Sequence, residues 1–583
     1  MKKQPGIARL WLCAWMLPLA FAPMYAPAQD AAPQLSTPES GPPVTLRGVV
    51  TNEVTGSPLA RVKVEIFGNP VHAALTDGEG RFEFHNVARG AQNIQVRKPG
   101  FERRNDPEAG DTPLTVHVTD PMPELNIALQ PLNAIYGHIT LSTGVPAQGV
   151  GINLLRQISD DGRQRWNQVD SHSAAPDGSF RFYGMSDGTY LLQTQPEFDN
   201  NRATAPACAA GAPAEIPGYA AVFSNSVTAI ASAAPVTASG GQGAEVNVAL
   251  TQTKFYRVQV TVAHAPGGQW RLMQTLLDSF GQEVDYPVHA EKDQSLCVYL
   301  PNGSYTLMVQ ASQEGGLEAA QMRIGREGRV IGAPRANPDS LAGVLEFAVD
   351  GRAPGNLHVA LTQAGATPVH VHFSPAPPKP AQPGKDDSDA FAGNLMTFAV
   401  QRVNDIGMNS EQASSVNDND ITNWELDTVA PGSYWVSASV SRNGVCMGSV
   451  TSGGQSLARV PWAARNTGTG SPIDVELRTD CAKLEVSIPV TMVAENGQGA
   501  VYVYAVPEFD SVDGLSATQI DIFGERTAKL DDLTPGRYRV YAFRSQRSIP
   551  FHVPGALDRL GAGQEVTLEP GGSSTLTLEG ITE

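Results

Sequence analysis

A short pattern recurs five times along this chain of 583 residues: a turn containing glycine, then alternating apolar residues that in four copies open on a tyrosine. The copies begin Arg89-Gly90-Ala91-Gln92, Asp187-Gly188-Thr189-Tyr190, Asn302-Gly303-Ser304-Tyr305, Pro431-Gly432-Ser433-Tyr434 and Pro535-Gly536-Arg537-Tyr538. Glycine accepts positive φ and proline fixes φ near about −65°, so such dipeptides turn the chain. The alternation that follows has the period of a half-buried strand. Successive glycines stand about 100–130 residues apart, the size of a small sandwich domain and too long for a solenoid repeat. Since single cores stop growing at roughly 250–300 residues, the chain must divide, and the repeat says where.

A second marker follows each hairpin, an alternating strand that closes the unit. It reads Leu125-Asn126-Ile127-Ala128-Leu129, Val246-Asn247-Val248-Ala249-Leu250, Leu357-His358-Val359-Ala360-Leu361 and Ile473-Asp474-Val475-Glu476-Leu477, with a looser copy at Leu576-Thr577-Leu578. The 57 glycines and 44 prolines are scattered throughout, and no long 3.6-period apolar stripe occurs. The pattern predicts an all-β chain of tandem antiparallel β-sandwich modules, Ig-like or transthyretin-like. Cutting after each closing strand places modules at 44–131, 132–252, 253–363, 364–479 and 480–583.

The first residues differ from the rest. Lys2, Lys3 and Arg9 precede an apolar run from Leu10 to Ala22, and Ala26-Pro27-Ala28 supplies small residues for cleavage. Residues 1–28 therefore read as a signal peptide, and 29–43 as a polar, Pro-rich leader expected to be disordered. The chain is expected to be exported to the periplasm, the cell surface or the medium. No later run approaches the ~18 apolar residues of a membrane-spanning helix. A formal charge of −18 without a Lys/Arg cluster argues against nucleic acid as a partner. Cys208, Cys297, Cys446 and Cys481 follow the signal, too few for a disulfide scaffold and without C-x-x-C spacing. Three pairings are open, and Cys446 with Cys481 is the pair closest in sequence.

The first module carries the most specific residues: Leu46-Arg47-Gly48-Val49-Val50, Gly56-Ser57-Pro58-Leu59-Ala60-Arg61-Val62-Lys63-Val64, Thr76-Asp77-Gly78-Glu79-Gly80-Arg81-Phe82 and Lys98-Pro99-Gly100-Phe101. It resembles the carboxypeptidase regulatory-like domain family, a transthyretin-like β-sandwich. A degraded version continues in the second module through Pro176-Asp177-Gly178-Ser179-Phe180-Arg181-Phe182. The motif residues are structural: Asp77-Gly78 and Asp177-Gly178 are expected to turn, and Phe82/Phe84 and Phe180/Phe182 to share a sheet face. The resemblance implies an accessory module of a secreted protein. Through related starch-binding-like folds, it also implies carbohydrate binding.

Catalytic motifs are weak. None of the eleven histidines is followed three residues later by Glu, so the zinc pair of a metallocarboxypeptidase is missing. Gly184-Met185-Ser186-Asp187-Gly188 fits G-x-S-x-G, but its last glycine opens a repeat strand where a nucleophile elbow needs a helix. His370 and His372, with Asp386, Asp387 and Asp389, and the run Asn417-Asp418-Asn419-Asp420 are incomplete ligand sets, and read as exposed strand residues and turns. No cofactor, metal or catalytic residue is assigned. For sugars, which stack on flat aromatic faces, the candidates are Trp166, Trp435 and Trp424, with Trp166 the most exposed by its neighbours Arg163, Arg165 and Gln168. The expected function is that of an exported non-enzymatic binding protein for glycans or other surface proteins. The rivals are a structural spacer or adhesin-like stalk, and a hydrolase with an unrecognised site.

Overall fold

The computed structural model describes residues 41–582 apart from 68–70, 104–113, 161, 199–210, 264–269, 285, 292–294, 314–322, 325–329, 332–340, 377–394, 404–405, 407–410, 416–421, 466, 489–499, 522–526, 544–545, 562 and 581. The signal, most of the leader, Cys208, the acidic residues Asp386, Asp387 and Asp389, and the run 417–420 lie outside the described residues.

All five repeat glycines open a strand: Gly90–Arg97, Gly188–Thr194, Gly303–Gln313, Gly432–Val440 and Gly536–Phe543. Each pairs antiparallel with an earlier strand of its own module, namely Lys63–Phe67, Gly151–Asp160, Trp270–Leu277, Met396–Arg402 and Ala500–Pro507. The repeat tyrosines Tyr190, Tyr305, Tyr434 and Tyr538 are all buried. Each donates its hydroxyl to the carbonyl four residues upstream: Ser186 (2.8 Å), Pro301 (3.1 Å), Ala430 (2.5 Å) and Thr534 (2.7 Å). Gln92 holds the same position in the first module and donates to the Ala88 carbonyl at 3.3 Å. The ring fills the core while its hydroxyl fixes the turn that leads into the strand, a tyrosine corner.

The closing strands add something the repeat did not announce. In every module the opening and closing strands pair in parallel: Val44–Asn52 with Leu125–Pro131, Asn133–Leu141 with Val248–Leu250, Gln252–Ala263 with Leu357–Ala360, Thr367–Phe373 with Ile473–Arg478, and Ala482–Ser487 with Ser573–Thr577. A parallel pair needs a long crossover, and here the rest of the module provides it. The architecture is thus a mostly antiparallel tandem β-sandwich in which each opening strand pairs in parallel near its module's end, in the second module with Gly243–Glu245 as well as Val248–Leu250.

Five large clusters of buried residues follow one another along the chain, anchored by Phe82 and Phe84, Phe180 and Phe182, Tyr305, Phe398 and Trp424, and Tyr538. The Phe82/Phe84 and Phe180/Phe182 rings meet at 5.7 and 5.9 Å on one face, as their alternation predicts. Each buried Phe contributes roughly 1.5–3 kcal/mol.

One boundary is less clean than sequence suggests, and one module merges its two sheets. The strand Glu215–Tyr219, inside the predicted second module, pairs with Gln252–Ala263 and so extends the third module's sheet. Its neighbours Phe198 and Ile216 pack with Phe255 and Tyr299. The segment covers a sheet edge whose backbone groups would otherwise lack partners. In the fourth module Glu411–Ser415 pairs with both Met396–Arg402 and Asn423–Leu426, joining the two sheets into one of nine strands. Cys446 and Cys481 form a disulfide with Cα atoms 5.8 Å apart, tying the fourth module to the start of the fifth. By loop-closure entropy, a bridge over 35 residues contributes about 3–4 kcal/mol.

Modules distant in sequence also meet. Arg163, 8% exposed, lies at the start of the strand Arg163–Ser173 in the second module. Its guanidinium sits 4.4 Å from the Trp435 ring and donates to the Ala458 carbonyl at 3.1 Å, both in the fourth module. The adjacent Gly162 carbonyl accepts from the His552 N–H of the fifth module at 2.8 Å. The second, fourth and fifth modules therefore converge on one hairpin tip.

Candidate binding cleft

The sequence candidates resolve into packing residues. Trp424 is 2% exposed within the fourth core, so neither indole face is open to a ligand. Trp435 points away from the buried Tyr434, as strand alternation requires, and its ring is covered by Arg163. Trp166 is half-buried against Leu155, Leu191 and Phe223, with Ile406 of the fourth module beside it. Trp166 and Trp435 are both half-buried and Trp424 is buried. The Trp166 indole supplies apolar area to the joint. Trp166 and Trp435 thus meet the same inter-module contact, and Trp424 does not.

The G-x-S-x-G string is a polar joint between the first and second modules. Ser186 Oγ donates to Glu102 Oε2 at 2.8 Å, so the hydroxyl's partner is a carboxylate and not an imidazole. Burial lifts the Glu102 carboxyl above its ordinary range, and the Ser186 hydrogen bond opposes that rise. Asn133 Nδ2 donates to Asp187 Oδ1 at 2.8 Å and Arg156 Nη2 to the Asp187 carbonyl at 3.0 Å, completing a hydrogen-bonded turn. His370 and His372 are exposed on alternate positions of Thr367–Phe373, with His370 Nδ1 3.5 Å from Asp474. Among the described residues, no group of three or more His, Cys, Asp or Glu could hold a metal ion.

A different region has the geometry of a site. A cleft of about 470 Å³ opens between the second and third modules. On one wall Asn153, Gln193 and Gln195 project from the paired strand region, and Gln195 Nε2 donates to Asn153 Oδ1 at 3.1 Å. On the other wall the turn 278–282 presents Phe280. Asp278 Oδ1 accepts from the Phe280 and Gln282 N–H groups at 2.8 and 3.0 Å, and the Gly281 N–H donates to the Asp278 carbonyl. This doubly held turn carries Phe280 at its apex, 58% exposed. Glu283, Tyr286, Asn302 and Ser304 complete that side. Desolvation raises the Tyr286 pKa well above the phenol range, so its hydroxyl stays protonated at neutral pH.

Among the described residues, the lining contains no Lys, Arg, His or Cys. Amides, hydroxyls and two carboxylates around an exposed aromatic ring can accept and donate hydrogen bonds to an uncharged ligand and stack on one of its faces. Sequence reading missed this wall because its two halves belong to different modules. One signal was available: Phe280 stands in Asp278-Ser279-Phe280-Gly281, a turn where a large apolar residue has no core to enter.

A second cleft, of about 460 Å³, lies between the second and fifth modules and is lined by Gly162, Tyr502, Tyr504, Arg547 and Phe551 among others. Burial between modules explains its tyrosines, and Tyr504 already accepts the Arg547 N–H at 2.7 Å.

Residues 45–130 match the carboxypeptidase regulatory-like domain family. A comparison with curated proteins finds no match to the chain. Among solved structures, it is similar to the Bacillus anthracis TIE protein at 11% identity and a TM-score of 0.17, over 55% of this chain and 51% of that one. It is also similar to a streptococcal ancillary pilin at 12% identity and a TM-score of 0.19, over 55% of this chain and 99% of that one. A minor pilin of Streptococcus agalactiae gives 14% identity and a TM-score of 0.19, over 36% and 96%. The match thus spans about half the length of the Bacillus protein. Likeness at this level says nothing about what the chain binds. Among the described residues, no helix is long and apolar enough to cross a membrane.

Proposed function

We propose that the chain is an exported, non-enzymatic binding protein that takes a hydroxyl-rich ligand, a glycan, in the cleft between its second and third modules. The observation that carries this reading is Phe280, held at the tip of a hydrogen-bonded turn with more than half its surface open and lining the same cleft as the amides of Asn153, Gln193 and Gln195. Pyranose rings present an apolar face to such an aromatic and a rim of hydroxyls to amides and carboxylates. The convergence of the second, fourth and fifth modules on one hairpin favours this reading over a straight spacer, whose modules would touch only their neighbours.

The test is a glycan-array screen of the folded chain, followed by calorimetry on Phe280→Ala and Trp435→Ala. Loss of one stacking ring is expected to weaken binding about tenfold or more, since ~1.4 kcal/mol is a factor of ten. Trp435→Ala should bind as the parent does. A folded chain that binds no glycan, or one whose binding ignores Phe280, overturns the assignment.

A further inference from the structure

Behind the Phe280 turn, at the junction of the third and fourth modules, lies a smaller cavity of about 100 Å³. Thr275, Glu283 and Gln310 line it from the third module, and Arg402, Thr428 and Tyr434 from the fourth. Arg402 ends the strand Met396–Arg402 with only 12% of its side chain exposed. A guanidinium offers five N–H donors in a fixed fork. Here Nη2 donates to the Tyr434 hydroxyl at 3.3 Å, and the ring of the same tyrosine lies 5.7 Å away. Glu283 Oε2 is 3.9 Å from Nη1, close enough for charge attraction and too far for a hydrogen bond, with its carboxylate half exposed. Nε is buried without a hydrogen-bond partner among the described residues. Leaving a buried cationic donor in that state is costly.

We infer that this cavity is a carboxylate-binding site, in which Arg402 grips one carboxylate group by its fork and Tyr434 stands beside it. The volume admits a group of a few heavy atoms and excludes a whole sugar ring. The cavity and the larger cleft share Glu283, so the carboxylate can belong to a free small acid or to an acidic sugar seated in the cleft. The anion supplies the hydrogen bonds that Glu283 does not reach to give, and charge-assisted bonds to a buried guanidinium are the strong kind. The site does not depend on the sugar reading, because a chain that binds no oligosaccharide can still bind acetate.

Calorimetry on the full chain with sodium acetate, a glucuronate-bearing disaccharide and its neutral counterpart tests the site, at matched ionic strength. Both carboxylate probes are expected to bind the parent, and Arg402→Gln should weaken them about 10- to 100-fold. Arg402→Lys keeps the charge in place and should fall between, which separates loss of the fork from loss of the fold. Acetate binding that depends on Arg402, without any gain of the acidic disaccharide over the neutral one, assigns the site to a free small acid. A gain for the acidic disaccharide assigns it to the larger ligand. No carboxylate binding by the folded parent, or binding unchanged in Arg402→Gln, overturns the inference.

Discussion

Gly80 and Gly78 are two residues apart in the first module's hairpin and do different things. Gly80 has φ of +75°, and a Cβ there would lie 2.5 Å from the Val50 carbonyl oxygen. Gly78 has nothing within 4 Å of such an atom. In the second module Gly178, at φ +77°, meets the Ile139 carbonyl in the same way. The equivalence is therefore between Gly80 and Gly178, and the Asp-Gly dipeptides that look alike in sequence are out of register by two. Gly80→Ala is expected to cost about 1–2 kcal/mol or more, from the left-handed backbone and the clash together, while Gly78→Ala should stay within about 0.5 kcal/mol. Urea denaturation of the two variants checks this, and equal losses would show that the turn is not held as described.

At the scale of the element, the recurring unit is a turn and strand fastened by one side chain. Tyr538 is 4% exposed, and its hydroxyl bonds the Thr534 carbonyl across the turn that Pro535-Gly536 makes. Tyr538→Phe keeps the ring and removes the bond, and should lower stability by about 1 kcal/mol without altering secondary structure. Circular dichroism with chemical denaturation reads both quantities, and an unchanged midpoint would mean the hydroxyl is idle. This element was legible in sequence because turn chemistry and period-2 alternation are local. The bond itself was not, since nothing in the string says that the tyrosine hydroxyl returns to its own turn. Nor was the parallel pairing of opening and closing strands, which brings together segments most of a module apart.

At the scale of the whole molecule, the hairpin tip at Arg163 is the joint, and it carries a titratable group. His552 is mostly buried; desolvation first and the Arg163 charge second depress its pKa from 6.5 to about 4, with Asp510 opposing them. Its ring also lies tilted against Phe551, with centroids 4.3 Å apart. The unfolded chain holds the proton below pH 6.5 and the folded chain does not until about pH 4. Folding therefore binds fewer protons in that window, and stability falls as pH drops through it. Melting curves between pH 7 and pH 4 should show this decline. His552→Gln should remove part of it, whereas an identical pH profile in the variant would sink the assignment.

The chain's own residues determined that it folds as all-β sandwich, with the same turn and strand returning about every hundred residues. Gly-Tyr turns, alternating strands and the T-D-x-x-G-x-F hairpin act over a few positions, so the string contains them whole. Long-range pairing decided the rest. Glu215–Tyr219 joins the sheet that follows it, Trp166 and Trp435 are consumed by contacts with other modules, and the cleft exists only where Gln193 and Phe280 face each other across a junction. An indole is equally suited to a core, a joint or a sugar. Which of these it serves depends on what the rest of the chain packs against it, and only the tertiary structure states that.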